Sequence, residues 1–163
     1  MGLLKRTIQV ISPIDGKVID LSQVDDRVFS QRLAGEGVAI ESTGDTVVAP
    51  VGGKISFMFK TNHAFVITTT NGIHVLVHIG TDTLNLHGEG FKNVKKMGDT
   101  VKAGDEILKL DRDFIESKGC CLVVPVLITK PDDVEFLEMN IGNLVRAGNE
   151  TIMSYKVVKN KEF

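Results

Sequence analysis

The histidines are the side chains of this sequence best suited to chemistry near neutral pH, because an imidazole has a pKa of about 6.5 and can act as a nucleophile or a proton donor. Two of the four histidines, His63 and His78, flank an Asn71-Gly72 pair that lies between two β-rich runs. Asn-Gly in this position predicts a tight hairpin, since a type I′ turn needs positive φ at both central residues. The sequence therefore brings two imidazoles into one hairpin.

A two-residue turn at the Asn-Gly pair sets the register of the predicted hairpin. It pairs Phe65 with His78 and places His63 opposite Gly80. Opposed residues share a face of a sheet, so we expect the two histidines on one side as diagonal neighbours about 7–8 Å apart, with Phe65 and Leu76 beside them. The other face is predicted to be a core stripe: Ile73, Val75, Val77 and Ile79.

The histidine pair admits three interpretations. Both side chains could be structural, as most histidines on apolar strands are. A zinc-dependent hydrolase is the second, although a catalytic zinc needs three protein ligands plus water, and Asp82 is the nearest carboxylate in sequence. The third is phosphoryl transfer through histidine, which relies on positioning and charge stabilisation and requires no metal from this chain. The sequence has no Gly-x-x-x-x-Gly-Lys-Ser/Thr loop, so direct use of ATP is not expected.

In the phosphoryl-transfer interpretation each residue near the pair has its own role. His78 accepts the phosphoryl group, and the carbonyl of Gly80 holds one ring nitrogen and so fixes the tautomer. His63 supplies an N–H to the phosphate, and the hydroxyl of Thr61 orients His63. Apolar neighbours exclude water and form a docking surface for a protein donor and a protein acceptor.

Composition narrows the class of protein. A chain of 163 residues with 42% hydrophobic and 25% charged residues is typical of a globular protein, and we predict one domain over residues 1–163. The net charge of −2, the single Tyr and the lack of Trp argue against nucleic-acid binding.

No apolar run approaches the roughly 20 residues of a membrane span, so direct membrane insertion is not expected. Adjacent Cys120 and Cys121 are expected to be free thiols, which predicts a cytoplasmic location.

The spacing of turns predicts an all-β fold. Short strands with turn signals every ~8–12 residues are typical of an antiparallel β-sandwich or barrel. The segment Val10–Val18 recurs 37 residues later as Val47–Ile55, an internal pseudo-repeat of strand, tight turn and strand. Residues 25–33 are expected to form a loop or one helical turn, and Asp111 is expected to cap a short helix that ends at Ser117. Pro125 predicts that its strand lies at a sheet edge or carries a bulge.

The same repeat leaves a second kind of carrier open. Its Pro-x-x-Gly pattern and the paired Gly-Asp turns are similar to those of lipoyl and biotinyl carrier modules. Such a module needs an exposed lysine at a hairpin tip, and this chain has Asn71-Gly72 there.

Several motifs together resemble a known family. TNHAF at 61–65, VHIGTDT at 77–83 and GEGF at 88–91, with weaker turn motifs over nearly the whole chain, resemble the glucose-type enzyme IIA of the bacterial phosphoenolpyruvate:sugar phosphotransferase system. The resemblance implies an antiparallel β-sandwich in which HPr phosphorylates His78 on Nε2. The phosphoryl group then passes to a cysteine on the IIB domain of a sugar permease. His63 would stabilise the phosphate and Thr61 would orient His63.

The resemblance also implies where protein partners bind. An apolar docking disc would surround the histidines, formed by Phe29, Leu33, Phe59, Phe65 and Leu76. Two carboxylates, Asp26 and Asp82, would lie near the site. The transfer itself requires no cofactor. Some members of the family hold zinc between their two histidines and a partner and regulate other permeases and glycerol kinase, so the sequence leaves open zinc at His63 and His78 and further regulatory targets.

Overall fold

The computed structural model describes residues 6–158, and it confirms the predicted all-β sandwich. Two short α-helices interrupt the strands, α1 (Arg27–Ser30) and α2 (Arg112–Ser117). The strands in chain order are β1 (Thr7–Ile11), β2 (Gly16–Asp20), β3 (Glu36–Ser42), β4 (Thr46–Val48), β5 (Gly53–Met58), β6 (Ala64–Thr68), β7 (His74–His78), β8 (Phe91–Asn93), β9 (Thr100–Val101), β10 (Glu106–Leu110), β11 (Val123–Ile128), β12 (Val134–Met139), β13 (Leu144–Val145) and β14 (Thr151–Val157).

One large sheet carries the histidine hairpin. Its eight strands follow the order β13-β2-β3-β11-β7-β6-β5-β9, and two three-stranded sheets have the orders β1-β14-β12 and β4-β10-β8. Side chains alternate between core and surface along β7, where Val75 and Val77 are fully buried and the residues on either side of each are half-buried. The predicted core stripe is confirmed, since Ile73 and Ile79 are also buried. The strand therefore presents His78 on the face opposite the core.

The internal repeat corresponds to a pair of mutually bonded loops. The N–H of Ile11, in the first copy, donates to the carbonyl oxygen of Pro50 in the second at 3.0 Å. The N–H of Val48, in the second copy, donates to the carbonyl of Pro13 in the first at 2.7 Å. Each proline loop thus satisfies a strand end of the other copy, which ties the sheets together around an approximate two-fold relation.

The hairpin register differs from the prediction by one residue. Phe65 pairs with Val77, and Ala64 pairs with His78. The N–H of Thr69 donates to the carbonyl of Ile73 at 2.9 Å, so three residues rather than two form the loop. Gly72 has φ +80°, the left-handed conformation that closes such a loop with a bulge. Asn-Gly is compatible with both loop lengths, and the longer one is used here.

Pro125 lies inside the large sheet, and its strand pairs with β3 without a register shift, so the prediction of an edge or bulged strand was wrong. Its strand β11 pairs with β3 along its whole length and with β7 only over residues 126–128. The missing N–H of Pro125 falls just beyond the β7 ladder, which explains how a proline is tolerated there. The predicted helical turns are confirmed, and Asp26 and Asp111 cap α1 and α2 through their side chains. None of the helices within residues 6–158 could span a membrane.

Candidate functional site

His78 ends β7, and its ring is held by the bend that follows. Nδ1 donates to the carbonyl oxygen of Gly80 at 2.9 Å. Gly80 has φ +79°, and a Cβ added there would lie 2.6 Å from the carbonyl oxygen of Cys121, so the bend requires glycine. A carbonyl can only accept a hydrogen bond, so Nδ1 of His78 carries the proton and Nε2 carries the free lone pair.

His63 precedes β6 in a tight loop whose residue Asn62 has φ +58°. Its side chain is 3% exposed, and Nδ1 lies 2.5 Å from the hydroxyl of Thr61. The main chain joins this loop to the other histidine, because the N–H of Ile79 donates to the carbonyl of His63 at 2.7 Å. Both Nδ1 atoms are therefore engaged, and Nε2 is the free ring nitrogen on each histidine.

The two imidazoles lie together on one side of the sheet. Their ring centroids are 5.1 Å apart, and the ring planes are nearly perpendicular at 80°. The two histidines were predicted to share a face, and they do, although the predicted register is off by one residue. Such a slip should move a strand residue to the opposite face. His63 escapes the alternation because it lies just before β6 begins, where the chain bends at Asn62.

Burial keeps both rings neutral at pH 7. Burial, and secondarily the neighbouring His78, lowers the pKa of His63 to about 4. Burial also lowers the pKa of His78, while the bond to the Gly80 carbonyl and the charge of Asp26 act in the opposite direction. A neutral imidazole with an unprotonated Nε2 is the nucleophilic form, so the environment prepares His78 for attack at neutral pH.

Aromatic side chains extend the histidine pair into a continuous row of five rings. Phe29 lies 4.8 Å from the His78 ring, Phe59 lies 4.9 Å from His63, and Phe57 meets Phe59 edge-on at 4.9 Å. Phe57 and Phe59 are 46% and 38% exposed, so this end of the row is an apolar surface beside the reactive nitrogens.

Phe57 is a residue that the sequence analysis missed. Simple alternation along β5 would place it on the core face with Ile55. The register of β5 with β6 shifts between these two residues, so Ile55 pairs with Ile67 and Phe57 pairs with Val66. Val66 in turn pairs with Leu76 on the His78 face. A β-bulge therefore turns Phe57 toward the site, and no sequence signal marks that bulge.

The predicted docking disc is only partly present at the surface. Leu33 is 71% exposed, and Leu76 is half-buried on the His78 face. The assignment of Phe65 was wrong, because the true register turns it into the core at 0% exposure. Phe29 is 4% exposed and packs on the His78 ring rather than offering surface to a partner.

The two predicted carboxylates differ in their contacts. Oδ1 of Asp26 accepts the N–H of Val28 at 2.9 Å and so caps α1, the helix that carries Phe29. Asp82 is exposed and has φ +62°, and its carbonyl oxygen lies 3.7 Å from Sγ of Cys120. Cys120 and Cys121 are free thiols, as predicted.

No group of three or more His, Cys, Asp or Glu side chains that could hold a metal ion occurs within residues 6–158. Two imidazoles alone do not meet the three protein ligands of a catalytic zinc. The zinc-hydrolase interpretation thus has no ligand set among the residues that the structure describes.

Comparison with known proteins agrees with this geometry. The sequence profile of the phosphoenolpyruvate-dependent sugar phosphotransferase system, EIIA 1, matches residues 8–134. The chain belongs to this family. It is 38% identical over 156 residues to the glucose-specific EIIA component of Borreliella burgdorferi, covering 96% of this chain and 82% of that protein. It is 38% identical over 148 residues to the glucose-specific EIIA component of Oceanobacillus iheyensis, covering 91% and 90%.

A solved structure extends the agreement to the fold. The glucose permease IIA of Mycoplasma capricolum superposes with a TM-score of 0.88 at 32% identity, covering 94% of this chain and 99% of that one. The EIIA family member described here is a phosphocarrier of sugar uptake, and its reaction is protein-to-protein phosphoryl transfer. Its donor is HPr and its acceptor is a IIB domain.

Proposed function

We propose that Nε2 of His78 is the atom that carries the phosphoryl group between HPr and IIB. The observation that supports this most strongly is the contact from Nδ1 to the Gly80 carbonyl at 2.9 Å, which leaves Nε2 as the nucleophilic nitrogen. As the bond from phosphorus to Nε2 forms, the bond to the donor imidazole of HPr breaks, and the departing ring takes up a proton. In onward transfer a thiolate of IIB attacks phosphorus, the bond from phosphorus to Nε2 breaks, and His78 returns to the neutral ring with its proton on Nδ1.

His63 serves as the hydrogen-bond donor to the phosphate. For its Nε2 to carry a proton, its Nδ1 must accept, and the Thr61 hydroxyl at 2.5 Å can donate to it. The two rings lie 5.1 Å apart, so a phosphoryl group on His78 comes within reach of His63. A fixed donor that faces the developing charge is the main way in which proteins accelerate phosphoryl transfer. The chemistry requires no cofactor from this chain.

The exposed apolar rim is the surface on which HPr and IIB dock in turn. Phe57 and Phe59 present large rings beside His63, and Leu33 is exposed just after α1. Asp26 and Asp82 add negative charge, which complements a basic partner surface. The relatives are named as glucose-specific components, so we infer that this chain works in the cytoplasm and delivers phosphate to a sugar permease of the glucose type.

One experiment tests the assignment of the acceptor. HPr is first phosphorylated with phosphoenolpyruvate and enzyme I, this chain and a chelator are then added together, and acid-labile phosphate is mapped. Wild type should carry it on His78, and His78→Gln should carry none. His74→Gln is the matched control, because His74 lies on the same strand and face, with Nδ1 bonded to the hydroxyl of Thr68 at 2.8 Å. Equal labelling of the His78→Gln protein would refute the assignment, and loss of labelling by the chelator would refute metal-free transfer.

A further inference from the structure

The bend after β7 contains a buried hydroxyl that the proposed mechanism does not use. Thr83 is 0% exposed, and its Oγ1 donates to the carbonyl oxygen of Ile79 at 2.6 Å. Breaking this contact would leave the buried hydroxyl without its partner, which is unfavourable in a site that water does not reach. The contact is therefore a fixed feature of the bend.

The hydroxyl controls one end of a peptide unit whose other end is also held. The peptide between Ile79 and Gly80 is planar, so its C=O and N–H move together. Thr83 binds the carbonyl of Ile79, and the N–H of Gly80 donates to the carbonyl of Val123 in β11 at 3.0 Å. With both ends bonded, the plane of this peptide has one orientation.

The next peptide carries the carbonyl that His78 uses. Its N–H belongs to Thr81 and donates to the carbonyl of Cys121 at 2.9 Å, while its C=O, that of Gly80, accepts from Nδ1 of His78 at 2.9 Å. The direction of the Gly80 carbonyl depends on the orientation of the Ile79–Gly80 peptide. Gly80, at φ +79°, has no Cβ to restrict rotation about its own backbone bonds.

The methyl group of Thr83 packs against the same bend. A Cβ added to Gly80 would lie 2.7 Å from Cγ2 of Thr83, so this methyl occupies the space where a side chain of Gly80 would be. Thr83 thus acts on Gly80 twice, by a hydrogen bond to the preceding carbonyl and by filling the space beside Cα.

We propose that Thr83 is a positioning residue for phosphoryl transfer, whose hydroxyl holds the Ile79–Gly80 peptide so that the Gly80 carbonyl keeps the proton of His78 on Nδ1. This inference rests on the proposed function of His78 as phosphate acceptor. Thr83 does not touch the phosphate, and it acts only through the tautomer of His78. Its replacement should therefore change a property of the His78 ring as well as a rate.

The test replaces the hydroxyl while keeping the shape, in the variant Thr83→Val. In ¹⁵N NMR of the wild type, His78 should show a protonated Nδ1 and an unprotonated Nε2. Thr83→Val should show mixed tautomers and accept phosphate from phospho-HPr about 10-fold more slowly, the cost of about one hydrogen bond. Thr83→Ser, which keeps the hydroxyl, should restore the tautomer and the rate to within about 2-fold.

Thr69→Val is the matched control. Oγ1 of Thr69 also bonds to the main chain, accepting the N–H of Ile73 at 3.1 Å, but it lies at the loop of the hairpin. This variant should leave the His78 tautomer and the rate unchanged. A folded Thr83→Val protein with the wild-type His78 shifts would overturn the inference, and so would a Thr83→Ser protein as impaired as Thr83→Val.

A wild-type measurement keeps the inference testable if Thr83→Val does not fold. The Thr83 hydroxyl proton should exchange slowly with water and show a nuclear Overhauser contact to Ile79, and a freely exchanging hydroxyl would overturn the inference. Failure of the proposed function is separately visible, because phosphate would then map to a residue other than His78 while the tautomer results stand.

Discussion

The two histidine segments hold their rings with different partners. Nδ1 of His78 faces a carbonyl at 2.9 Å, whereas Nδ1 of His63 faces a hydroxyl at 2.5 Å. A carbonyl only accepts, while a hydroxyl both donates and accepts. The same side chain is thereby given a nucleophilic Nε2 at one position and is free to carry a proton on Nε2 at the other. The division of labour comes from the contact behind each ring.

The main chain also holds the two histidines differently. His78 ends a strand whose bend is bonded to β11, and the surrounding peptides leave it one orientation. His63 lies in a short loop and depends on Thr61 and on the carbonyl bond from Ile79. The acceptor nitrogen is thus fixed by the main chain, and the donor nitrogen by a side chain. Substitutions at the His63 segment should therefore alter rates without removing the phosphorylation site.

The largest effect within this comparison is expected from His63→Gln. The variant should still accept phosphate on His78 but pass it to IIB about 100-fold more slowly, the usual cost of losing a preorganised donor. Onward transfer suffers more because the attacking thiolate brings a further negative charge to the phosphate, whereas the HPr imidazole is neutral. Rapid-quench measurement of both half-reactions checks this. Onward transfer at the wild-type rate would refute the donor role of His63.

A smaller loss is expected from Thr61→Val, which removes the contact that orients His63. Without a donor at Nδ1, His63 populates both tautomers and presents its N–H to the phosphate only part of the time. Onward transfer should slow about 10-fold, the cost of about one hydrogen bond. Thr61→Ser should recover most of the rate. If Thr61→Ser were as slow as Thr61→Val, the methyl group and not the hydroxyl would be the important part.

Phe57→Ala tests the docking surface and should leave the chemistry of both histidines intact. Truncating a partly exposed aromatic residue at an interface costs about 1 kcal/mol, so KM for phospho-HPr and for IIB should rise about 5-fold with little change in kcat. Leu144→Ala is the control, since Leu144 is a 79% exposed apolar residue on the edge strand β13. A fall in kcat at constant KM would contradict a docking role.

The pH dependence of protein stability tests the burial of the His63 ring without any partner protein. Burial lowers the pKa of the folded His63 ring to about 4, from an ordinary value of 6.5. Between these values the unfolded chain binds more protons at His63, so the contribution of this ring to the free energy of unfolding falls as pH drops from about 6.5 toward about 4 and is constant above that range. His63→Gln should flatten this decline, which chemical denaturation at a series of pH values measures. An unchanged pH profile in His63→Gln would contradict the burial of a neutral ring.

The histidine pair could be predicted from the sequence because residue types and short motifs identify it. The alternation of Val75, Val77 and Ile79 predicted the core face of β7 correctly, and Asp111 marked a helix start that the structure confirms. These are local signals, since strand alternation and helix caps depend on residues a few positions apart.

What the sequence could not supply was register. The Asn-Gly pair is compatible with loops of two or three residues, and the three-residue loop turned Phe65 from the docking surface into the core. The bulge in β5 moved Phe57 in the opposite direction, toward the histidines. Both outcomes depend on how neighbouring strands pack, which no short stretch of sequence determines.

The most direct test of the account is the protonation of the two rings in the unphosphorylated protein at pH 7, measured by ¹⁵N NMR with selectively labelled histidine. We expect opposite neutral tautomers, with the proton on Nδ1 of His78 and on Nε2 of His63. The same tautomer on both rings, or a charged imidazolium at either position, would contradict the assignment of one histidine as nucleophile and the other as donor.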